Sequence, residues 1–383
     1  METLFGAVMG SRSSFGALER GGLFLDLGGG SVQMSWVDTR DEGYAVEAAL
    51  AGESMPFGAA RLIRVLEGAD AGVRTTEKGR LRESMAAAFA KLCKRFPALA
   101  EEVSRGERRG GGVDVYFCGG GFRGYGSMLM HNDPILPYPI PSIGTYTVPG
   151  ELFRRTDQMR RVNEEFGGKI FGMSKRRRKQ FPAVLEVIET FVEVMPGIRT
   201  ATFCTGSNRD GVLLMKLPPA LRESDPLAAL AAASHRADDM PVVEAVLKVL
   251  RDAVPERPRA SSLPTVLSLG LGPLFYSMVW DRMGEDVASN AAFSLHNAVT
   301  RDSSAPGLTH LARAVLGVTA AARWGGTLGP LDVELHSRLK ALLDRAHPEA
   351  YFWADYIGTL AGVVATFIPA RPKTVEDVTE VIK

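Results

Sequence analysis

The sequence predicts an α/β layer domain followed by an all-α domain. Short β-like segments alternate with helical stretches up to about residue 217, and the candidate strands read LFLDL, VQMSWV, YAVEAAL, VDVYFC and RTATFC. From Pro218 onward the strand patterns stop, and alanine-rich stretches follow with apolar residues at helical spacing. The opening residues METLFGAVMGS resemble the middle of a helix without a capping residue. We therefore divide the chain into residues 1–20, 21–217 and 218–383.

Composition excludes several classes of protein. The 383 residues include 45 Lys plus Arg and 44 Asp plus Glu, so the net charge produces no electrostatic field that would attract nucleic acid or an anionic membrane. Three cysteines without a CxxC pair argue against a zinc module or a disulfide framework. The longest apolar runs, LSLGLGPLFYSMVW and GTLAGVVATFIPA, fall short of the roughly 18 residues that a membrane span needs. With no secretory signal visible, we expect a cytoplasmic protein.

The segment FLDLGGGSVQMSW, from Phe24 to Trp36, predicts a β-hairpin. The residues after the glycines alternate between apolar and polar with period two, as in a strand, so a dinucleotide-binding turn that opens a helix is excluded. Glycines at such a turn leave backbone N–H groups accessible to a phosphate. Asp26 would then face the same anion, whereas a plain turn with a solvated Asp26 is the alternative.

Two further glycine-rich stretches follow strands in the same way. CGGGFRG follows VDVYF, and CTGSNRDG follows RTATF. Loops at the carboxyl ends of strands converge on one crevice in a sheet of this kind, so we expect the three stretches to meet. Arg123 and Arg209 would supply guanidinium groups that bind phosphate through two parallel hydrogen bonds.

Four motifs in order resemble those of the exopolyphosphatase and guanosine pentaphosphate phosphatase (Ppx/GppA) family: DLGGGSVQ, ESMPFGAARL, CGGGFRG and TGSNRDGVLL. The resemblance implies an actin-like ATPase (ribonuclease H-like) lobe with a mixed sheet, before the helical domain. The stretches FRGYGSMLMH and PIPSIGTYTVPGELF are similar to the fungal retrograde-regulation branch. For that branch the resemblance implies signalling from mitochondria to nucleus and ATP binding.

Transferred residue by residue, the resemblance places Asp26 and Gln33 at catalytic positions, with Asp26 holding Mg²⁺ or the attacking water. The implied phosphate- or nucleotide-binding residues are Gly28, Gly29, Gly30, Ser31, Gly58, Arg61, Gly120, Gly121, Arg123, Ser207, Arg209 and Gly211. Three positions depart from the family pattern. Gln33 replaces a Glu, Phe122 replaces the Thr of GGTxR, and Asp210 replaces the Glu beside the final Arg. A neutral amide neither acts as a base nor holds Mg²⁺ as a carboxylate does.

Family members also begin with a lobe that carries a DxGS phosphate loop and a general base. The sequence resembles the family only from beyond that point, so we interpret residues 1–20 as the residual helix of a missing lobe. An exposed apolar patch formed by Leu4, Phe5 and Val8 would then support a homodimer.

Two hypotheses follow. In the first, a phosphatase-like regulatory protein binds a nucleotide or polyphosphate, hydrolyses it weakly or not at all, and signals to a protein partner. In the second, an exopolyphosphatase or nucleotide phosphatase uses Mg²⁺ and Asp26 to hydrolyse a terminal phosphoanhydride. The basic run KRRRK, Lys175 to Lys179, is interpreted as a solvated helix start, with polyphosphate binding or nuclear localisation as alternatives. VPERPRASSLP, Val254 to Pro264, is predicted to be a long loop.

Overall fold

The computed structural model describes residues 2–16, 18–109, 111–195, 197–255, 265–284, 286–301, 305–325 and 327–381. The chain divides into two compact units. The first comprises residues 1–133 and 142–224, and the second comprises residues 134–141 and 225–383. Within the described ranges, no helix is both long enough and apolar enough to cross a membrane.

The first unit contains six strands and a set of helices. Its strands are β1 (Gly22–Leu27), β2 (Val32–Val37), β3 (Glu53–Met55), β4 (Val113–Cys118), β5 (Tyr146–Pro149) and β6 (Ile198–Phe203). Its described helices are α1 (Glu2–Gly10), α2 (Tyr44–Ala51), α3 (Ala59–Gly68), α4 (Ala71–Arg95), α5 (Pro97–Arg109), α6 (Gly119–His131), α7 (Gly150–Phe153), α8 (Thr156–Glu165), α9 (Lys175–Val194), α10 (Asn208–Leu214) and α11 (Pro219–Arg222).

The strands form one mixed sheet in the order β3-β2-β1-β4-β6-β5. β1, β4 and β6 run parallel to one another, while β2 and β5 pair antiparallel with β1 and β6. All six residues of β1 and all six of β2 are buried, because layers of helices cover the central strands on both faces. The carboxyl ends of β1, β4 and β6 therefore lie at one edge, where the glycine-rich segments follow them.

Four of the five sequence-predicted strands are confirmed, and one is wrong. The segment from Tyr44 to Ala51 forms α2, not a strand. Its buried residues Tyr44, Ala45, Ala48 and Ala49 recur with a period close to four, so the helix buries one face. Alanine favours helix over strand, and this preference overrides the weak alternation of YAVEAAL.

The amino-terminal helix packs within the first unit. Val8 is fully buried in an apolar cluster with Phe15 and Leu18, so the expectation that Val8 contributes to an exposed patch is wrong. The side chains of Leu4 and Phe5 lie outside the described part of the structure. Whether α1 is the remnant of a further lobe stays a prediction.

Among its described residues the second unit contains helices and no strand, as predicted for the chain after residue 217. Its helices are α12 (Pro226–Ala233), α13 (Met240–Asp252), α14 (Gly272–Val279), α15 (Val287–Thr300), α16 (His310–Trp324), α17 (Pro330–Ala346), α18 (Ala350–Phe367) and α19 (Val375–Thr379). α16 is buried on nearly every side and packs against α15, α17 and α18. The main part of the unit begins at residue 225, a few residues after the boundary predicted after residue 217. Most of the predicted loop from Val254 to Pro264 lies outside the described residues.

Candidate phosphate-binding cleft

The first glycine-rich segment is the tip of the predicted hairpin. β1 and β2 pair antiparallel with Leu27 opposite Val32, and the Gly28 N–H donates to the Ser31 carbonyl at 3.0 Å. The register sets Asp26 directly opposite Gln33. Directly opposed residues share one face of a sheet, so these two side chains are neighbours.

The amino terminus of α3 fixes this tip in place. The N–H groups of Ala59 and Ala60 donate to the carbonyls of Gly28 and Gly29, each at 3.0 Å. Gly58 is in close contact, because a Cβ there would lie 2.3 Å from the Gly29 carbonyl carbon. The tip thus satisfies backbone donors of α3, and its own N–H groups keep a fixed direction.

The second glycine-rich segment opens a helix instead of forming a free loop. Gly119 follows β4 as the first residue of α6 and has φ +88°, which favours glycine. A Cβ on Gly119 would lie 2.5 Å from Asp26 Oδ1. The Asp26 carboxylate is therefore packed against the start of a 13-residue helix, whose first N–H groups lack partners within the helix.

The third glycine-rich segment rests on the amino-terminal helix. Gly206 has φ +78°, and a Cβ there would lie 1.8 Å from the Gly10 carbonyl oxygen. Beside it, the Thr205 hydroxyl is 2.9 Å from the Ser14 hydroxyl, and the Thr205 N–H donates to the same Ser14 oxygen at 2.8 Å. Close backbone contact and a serine-rich turn hold this loop against the end of β6.

A row of four polar side chains crosses the sheet beneath the three segments. It runs Gln33, Asp26, Cys118 and Cys204. Asp26 and Cys118 are opposite each other in the parallel β1–β4 pair, and the Cys204 N–H donates to the Phe117 carbonyl at 2.9 Å. A hydrogen bond with the Cys204 thiol and burial raise the pKa of the Cys118 thiol well above its ordinary value. Asp26 and Gln33 are 7% and 8% exposed, so the row forms a floor almost closed to solvent.

Two adjoining cavities open at this edge of the sheet, and Asp26 and Cys118 of the row line the larger one. The larger, about 320 Å³, is lined by Ala7, Ser11, Asp26, Leu27, Gly28, Cys118, Gly119, Gly120, Arg123, Gly206, Ser207 and Arg209. The smaller, about 280 Å³, is lined by Leu27, Gly28, Gly29, Ala59, Gly120, Gly121, Gly124, Ser174, Arg176, Arg177, Gln180, Phe181 and Val184. Gly28 and Gly120 border both cavities, so the two form one cleft.

Four arginines surround this cleft. Arg123 Nη1 donates to the Gly206 carbonyl at 2.7 Å and so ties α6 to the third segment. Arg209 and Arg176 make no hydrogen bond or ion pair with another described residue. Burial, with a smaller contribution from the nearby positive charge of Arg123, lowers the pKa of Arg177. A chain of formal net charge +1 thus concentrates positive charge at one edge of its sheet.

Comparison with known proteins identifies the family. Residues 5–220 match the model of the Ppx/GppA phosphatase family, which is more than half of the chain. The chain belongs to the Ppx/GppA phosphatase family. Residues 225–380 match the RTG2 C-terminal domain. The chain is also 29% identical over 375 residues to Retrograde regulation protein 2 of Saccharomyces cerevisiae, covering 94% of this chain and 60% of that protein. These matches place this Ppx/GppA protein in the retrograde-regulation branch.

Solved structures of Ppx/GppA proteins resemble the chain more distantly. The Aquifex aeolicus Ppx/GppA phosphatase is 15% identical over 56% of this chain and 63% of that chain, with a TM-score of 0.38. An exopolyphosphatase from Cytophaga hutchinsonii is 18% identical over 55% of this chain and 62% of that chain, with a TM-score of 0.35. The chain therefore spans about 60% of the length of these relatives.

The Ppx/GppA motif residues separate into those that line the cleft and those that support it. The lining residues are Asp26, Gly28, Gly29, Gly120, Gly121, Arg123, Ser207 and Arg209. The others, Gly30, Ser31, Gln33, Gly58, Arg61 and Gly211, do not line either cavity. Whether any of them contacts a ligand stays a prediction.

Contacts explain the supporting group. Ser31 accepts a hydrogen bond from Gln33 Nε2 at 3.4 Å. Arg61 pairs with Glu77 at 3.0 Å and stacks on Phe57, away from the cavities. A Cβ on Gly211 would lie 2.0 Å from the Gly6 carbonyl oxygen, so this glycine permits close packing of α10 on α1.

The basic run of this Ppx/GppA protein is a helix start, as interpreted, but it is not fully solvated. Ser174 caps α9 by accepting a hydrogen bond from the Arg177 N–H. Arg178 donates to the backbone carbonyls of Phe166 and Gly168 and is half-buried. Arg176 and Arg177 line the smaller cavity, a position that the charge pattern alone did not predict.

Sequence reasoning also missed the supports of the third segment. Ser11 and Ser14 contact Cys118 and Thr205, each at 2.9 Å. A cluster of serines directly after a predicted helix was the available signal, since such hydroxyls commonly bond to neighbouring backbone and side-chain groups.

A magnesium ion would have few carboxylates here. Among the residues that the structure describes, no group of three His, Cys, Asp or Glu side chains is arranged to hold a metal. Asp26 is the one carboxylate among the described residues that line the two cavities. Mg²⁺ bound by one carboxylate, waters and ligand phosphates is compatible with this set.

Proposed function

We propose that this protein binds a nucleotide or another phosphorylated ligand in the glycine-rich cleft and acts in regulation, with weak or no hydrolysis. One observation carries the proposal: backbone segments at three strand ends converge on a cleft with four arginines and one carboxylate. The family implies a ligand that contains phosphate. The regulatory role is inferred from the similarity to Retrograde regulation protein 2.

The backbone supplies most of the anion recognition in this proposal. The N–H groups at the start of α6 point away from the helix and carry the partial positive charge of its dipole. Gly120 has open space where a Cβ would stand, so an oxyanion reaches the backbone there without obstruction. Arg209, which has no partner among the described residues, adds an exposed guanidinium to the lining of the larger cavity.

The smaller cavity favours a nucleotide over a plain phosphate chain. Phe181, Val184 and Leu27 give it an apolar wall, and Arg177 faces the same space. A base packs against apolar side chains and stacks on a guanidinium plane, whereas a polyphosphate chain gains nothing from apolar contacts. We therefore assign the phosphates to the larger cavity and the nucleoside to the smaller one.

The polar floor supports weak hydrolysis. Efficient attack by water on a phosphoanhydride needs a group that accepts the water proton and cations that stabilise the transition state. Gln33 lies beside Asp26 at a position where the family pattern has a Glu, and its amide cannot accept that proton. Asp26 alone would have to hold Mg²⁺ or orient the water.

The second hypothesis is an active exopolyphosphatase or nucleotide phosphatase. The position of Asp26 favours this enzyme hypothesis, because its carboxylate lies at the cleft floor beside the start of α6. In that case Mg²⁺, when bound, would neutralise charge on the phosphates. Asp26 would orient the attacking water, and Arg123 and Arg209 would hold the terminal phosphoryl group.

Equilibrium binding of ATP, pyrophosphate and long-chain polyphosphate, with and without Mg²⁺, tests the proposal. Arg209→Ala should weaken ATP binding about tenfold or more, since a hydrogen bond to a charged group contributes about 1.5–3 kcal/mol. Arg64→Ala is the matched control, because Arg64 is exposed on α3, outside both cavities. Equal losses in the two variants, or no ATP binding by the wild-type protein, would reject the assignment of the cleft.

Phosphate release separates the two hypotheses. Turnover near one per second that disappears in Asp26→Asn would reject the regulatory reading and support the enzyme. ATP binding with no phosphate release above that of Asp26→Asn would reject the enzyme. Since Asp26 is buried, thermal unfolding must first show that Asp26→Asn is folded.

A further inference from the structure

The floor of the cleft contains a pair of cysteines that phosphate binding leaves without a role. Cys118 ends β4, and Cys204 directly follows β6, its parallel neighbour. The backbone ladder continues through them, since the Cys204 N–H donates to the Phe117 carbonyl at 2.9 Å. The residues before them, Phe117 and Phe203, are directly paired, so the two cysteines are adjacent across the β4–β6 ladder.

This geometry lies within the range of a disulfide bond. Neighbouring strands are separated by about 4.8 Å, and disulfide-bonded cysteines have Cα atoms about 4.4–6.8 Å apart. Residues in register on parallel strands project to the same side of the sheet, and both cysteines belong to one buried cluster. Bond formation requires the sulfurs to approach to about 2 Å, which displaces the strand ends slightly.

The two thiols differ in access from solvent. Cys118 lines the larger cavity together with Asp26 and Arg123 and is 5% exposed. Cys204 has no exposed surface and lines neither cavity. The Ser11 hydroxyl is 2.9 Å from the Cys118 sulfur and holds it at the cavity wall. Cys118 is thus placed to react with the oxidant first, and Cys204 to complete the bond.

We propose that Cys118 and Cys204 form a reversible disulfide bond when a hydroperoxide enters the cleft, which makes the cleft a redox-sensitive site. Because its raised pKa keeps Cys118 as the thiol, the first step is slow and needs a high peroxide concentration. The Cys118 sulfur attacks one peroxide oxygen, the O–O bond breaks, the thiol proton passes to the departing hydroxide, and sulfenic acid and water form when hydrogen peroxide is the oxidant. The Cys204 sulfur then attacks the Cys118 sulfur, the S–O bond breaks, and the hydroxyl leaves with the Cys204 proton as water. Two thiols are oxidised and one peroxide is reduced to two waters.

The bond would act directly on the candidate phosphate site. Gly119 follows Cys118, and Gly206 lies two residues after Cys204, so a displacement of the sulfurs moves both glycine segments. A disulfide that strains the strand ends is readily reduced, as regulatory disulfides are. We expect the oxidised protein to bind phosphorylated ligands with a changed affinity; this part of the inference rests on the proposed function.

Peptide mapping of the folded full chain tests the bond. Trypsin should release residues 110–123 with Cys118, 200–209 with Cys204, and 92–94 with Cys93. After hydrogen peroxide treatment without reductant, we expect the first two peptides linked, with the loss of two hydrogen atoms, and separated again by dithiothreitol. Half-buried Cys93 is the internal comparator, and peroxide is raised until it is oxidised. If Cys118 and Cys204 remain unlinked at that dose, or link to Cys93 instead, the proposal is wrong.

Two cysteine variants and a competition with pyrophosphate test which residues react and where. Cys93→Ser should form the same linked peptide as the wild type, whereas Cys204→Ser should instead leave a Cys118 sulfenic acid that dimedone traps. Absence of that adduct in folded Cys204→Ser would contradict the proposed order of attack. Pyrophosphate should slow the linkage several-fold by occupying the cleft. Equal rates with and without it would count against the proposed function and leave the disulfide standing, because the mapping result does not depend on phosphate binding.

Discussion

Replacing Gly120 with alanine tests whether the backbone at the start of α6 contacts the ligand. Gly120 borders both cavities, and a Cβ there would meet no protein atom within 4 Å. Its φ is not positive, so alanine adopts the same backbone conformation without strain. The added methyl group therefore enters the space proposed for the anion and leaves the fold unchanged.

The expected effects on stability and on binding have opposite signs. Alanine in place of glycine in a helix contributes up to about 1 kcal/mol to stability, which raises the midpoint of thermal unfolding by at most about 4 °C. Blocking one backbone N–H group removes about 1.5–3 kcal/mol for the hydrogen bond to a charged phosphate. The affinity for ATP should therefore fall about tenfold to a hundredfold.

Isothermal titration calorimetry with ATP and with pyrophosphate measures this loss. Gly68→Ala is the control, because Gly68 is exposed at the end of α3, has no atom within 4 Å of a built Cβ, and lines neither cavity. Gly68→Ala should bind as the wild type does. Wild-type affinity in a folded Gly120→Ala protein would refute the backbone contact at the start of α6.

Three further outcomes are expected. Gln33→Glu places a second carboxylate beside that of Asp26, so Mg²⁺ should raise the unfolding temperature of this variant more than that of the wild type. Equal shifts of the two proteins in a thermal scan would contradict this expectation. Gly206→Ala should lower the free energy of unfolding in urea by more than about 2 kcal/mol, because the residue has a positive φ and a Cβ there would collide with the Gly10 carbonyl. Gly16→Ala is the control and should cause no such loss, because a Cβ at Gly16 meets no atom within 4 Å. Burial and a nearby arginine lower the pKa of His131, so the folded state resists its protonation. The free energy of unfolding should therefore fall as pH drops below about 6.5, and it should fall less steeply in His131→Gln. Identical pH dependence of the two proteins in chemical unfolding would argue against this role of His131.

The sequence was sufficient to predict the hairpin, the strand ends and the all-α second unit. Alternation from Val32 to Trp36 and the glycines before it determine the first turn without help from distant residues. The convergence of the three glycine segments followed from the parallel order of their strands.

What the sequence did not predict depends on contacts between distant segments. Gly119 opens a helix because its positive φ turns the chain over Asp26, a packing that no local pattern encodes. Arg61 and Arg123 both matched family motifs, yet one pairs with Glu77 and the other braces the third segment through Gly206. The positions of side chains at a site thus followed tertiary packing, while the backbone elements followed local pattern.

The glycine contacts between α1 and α10 have a mechanical consequence. Because backbone meets backbone where Gly6 of α1 contacts Gly211 of α10, no side chain lies between the two helices there. A shift of α1 along its axis would carry Ser207 and Arg209 with it, whereas the hairpin tip would stay with α3. The amino-terminal helix is therefore mechanically coupled to one wall of the cleft. A partner that displaces α1 would change the distance between Arg209 and Gly28.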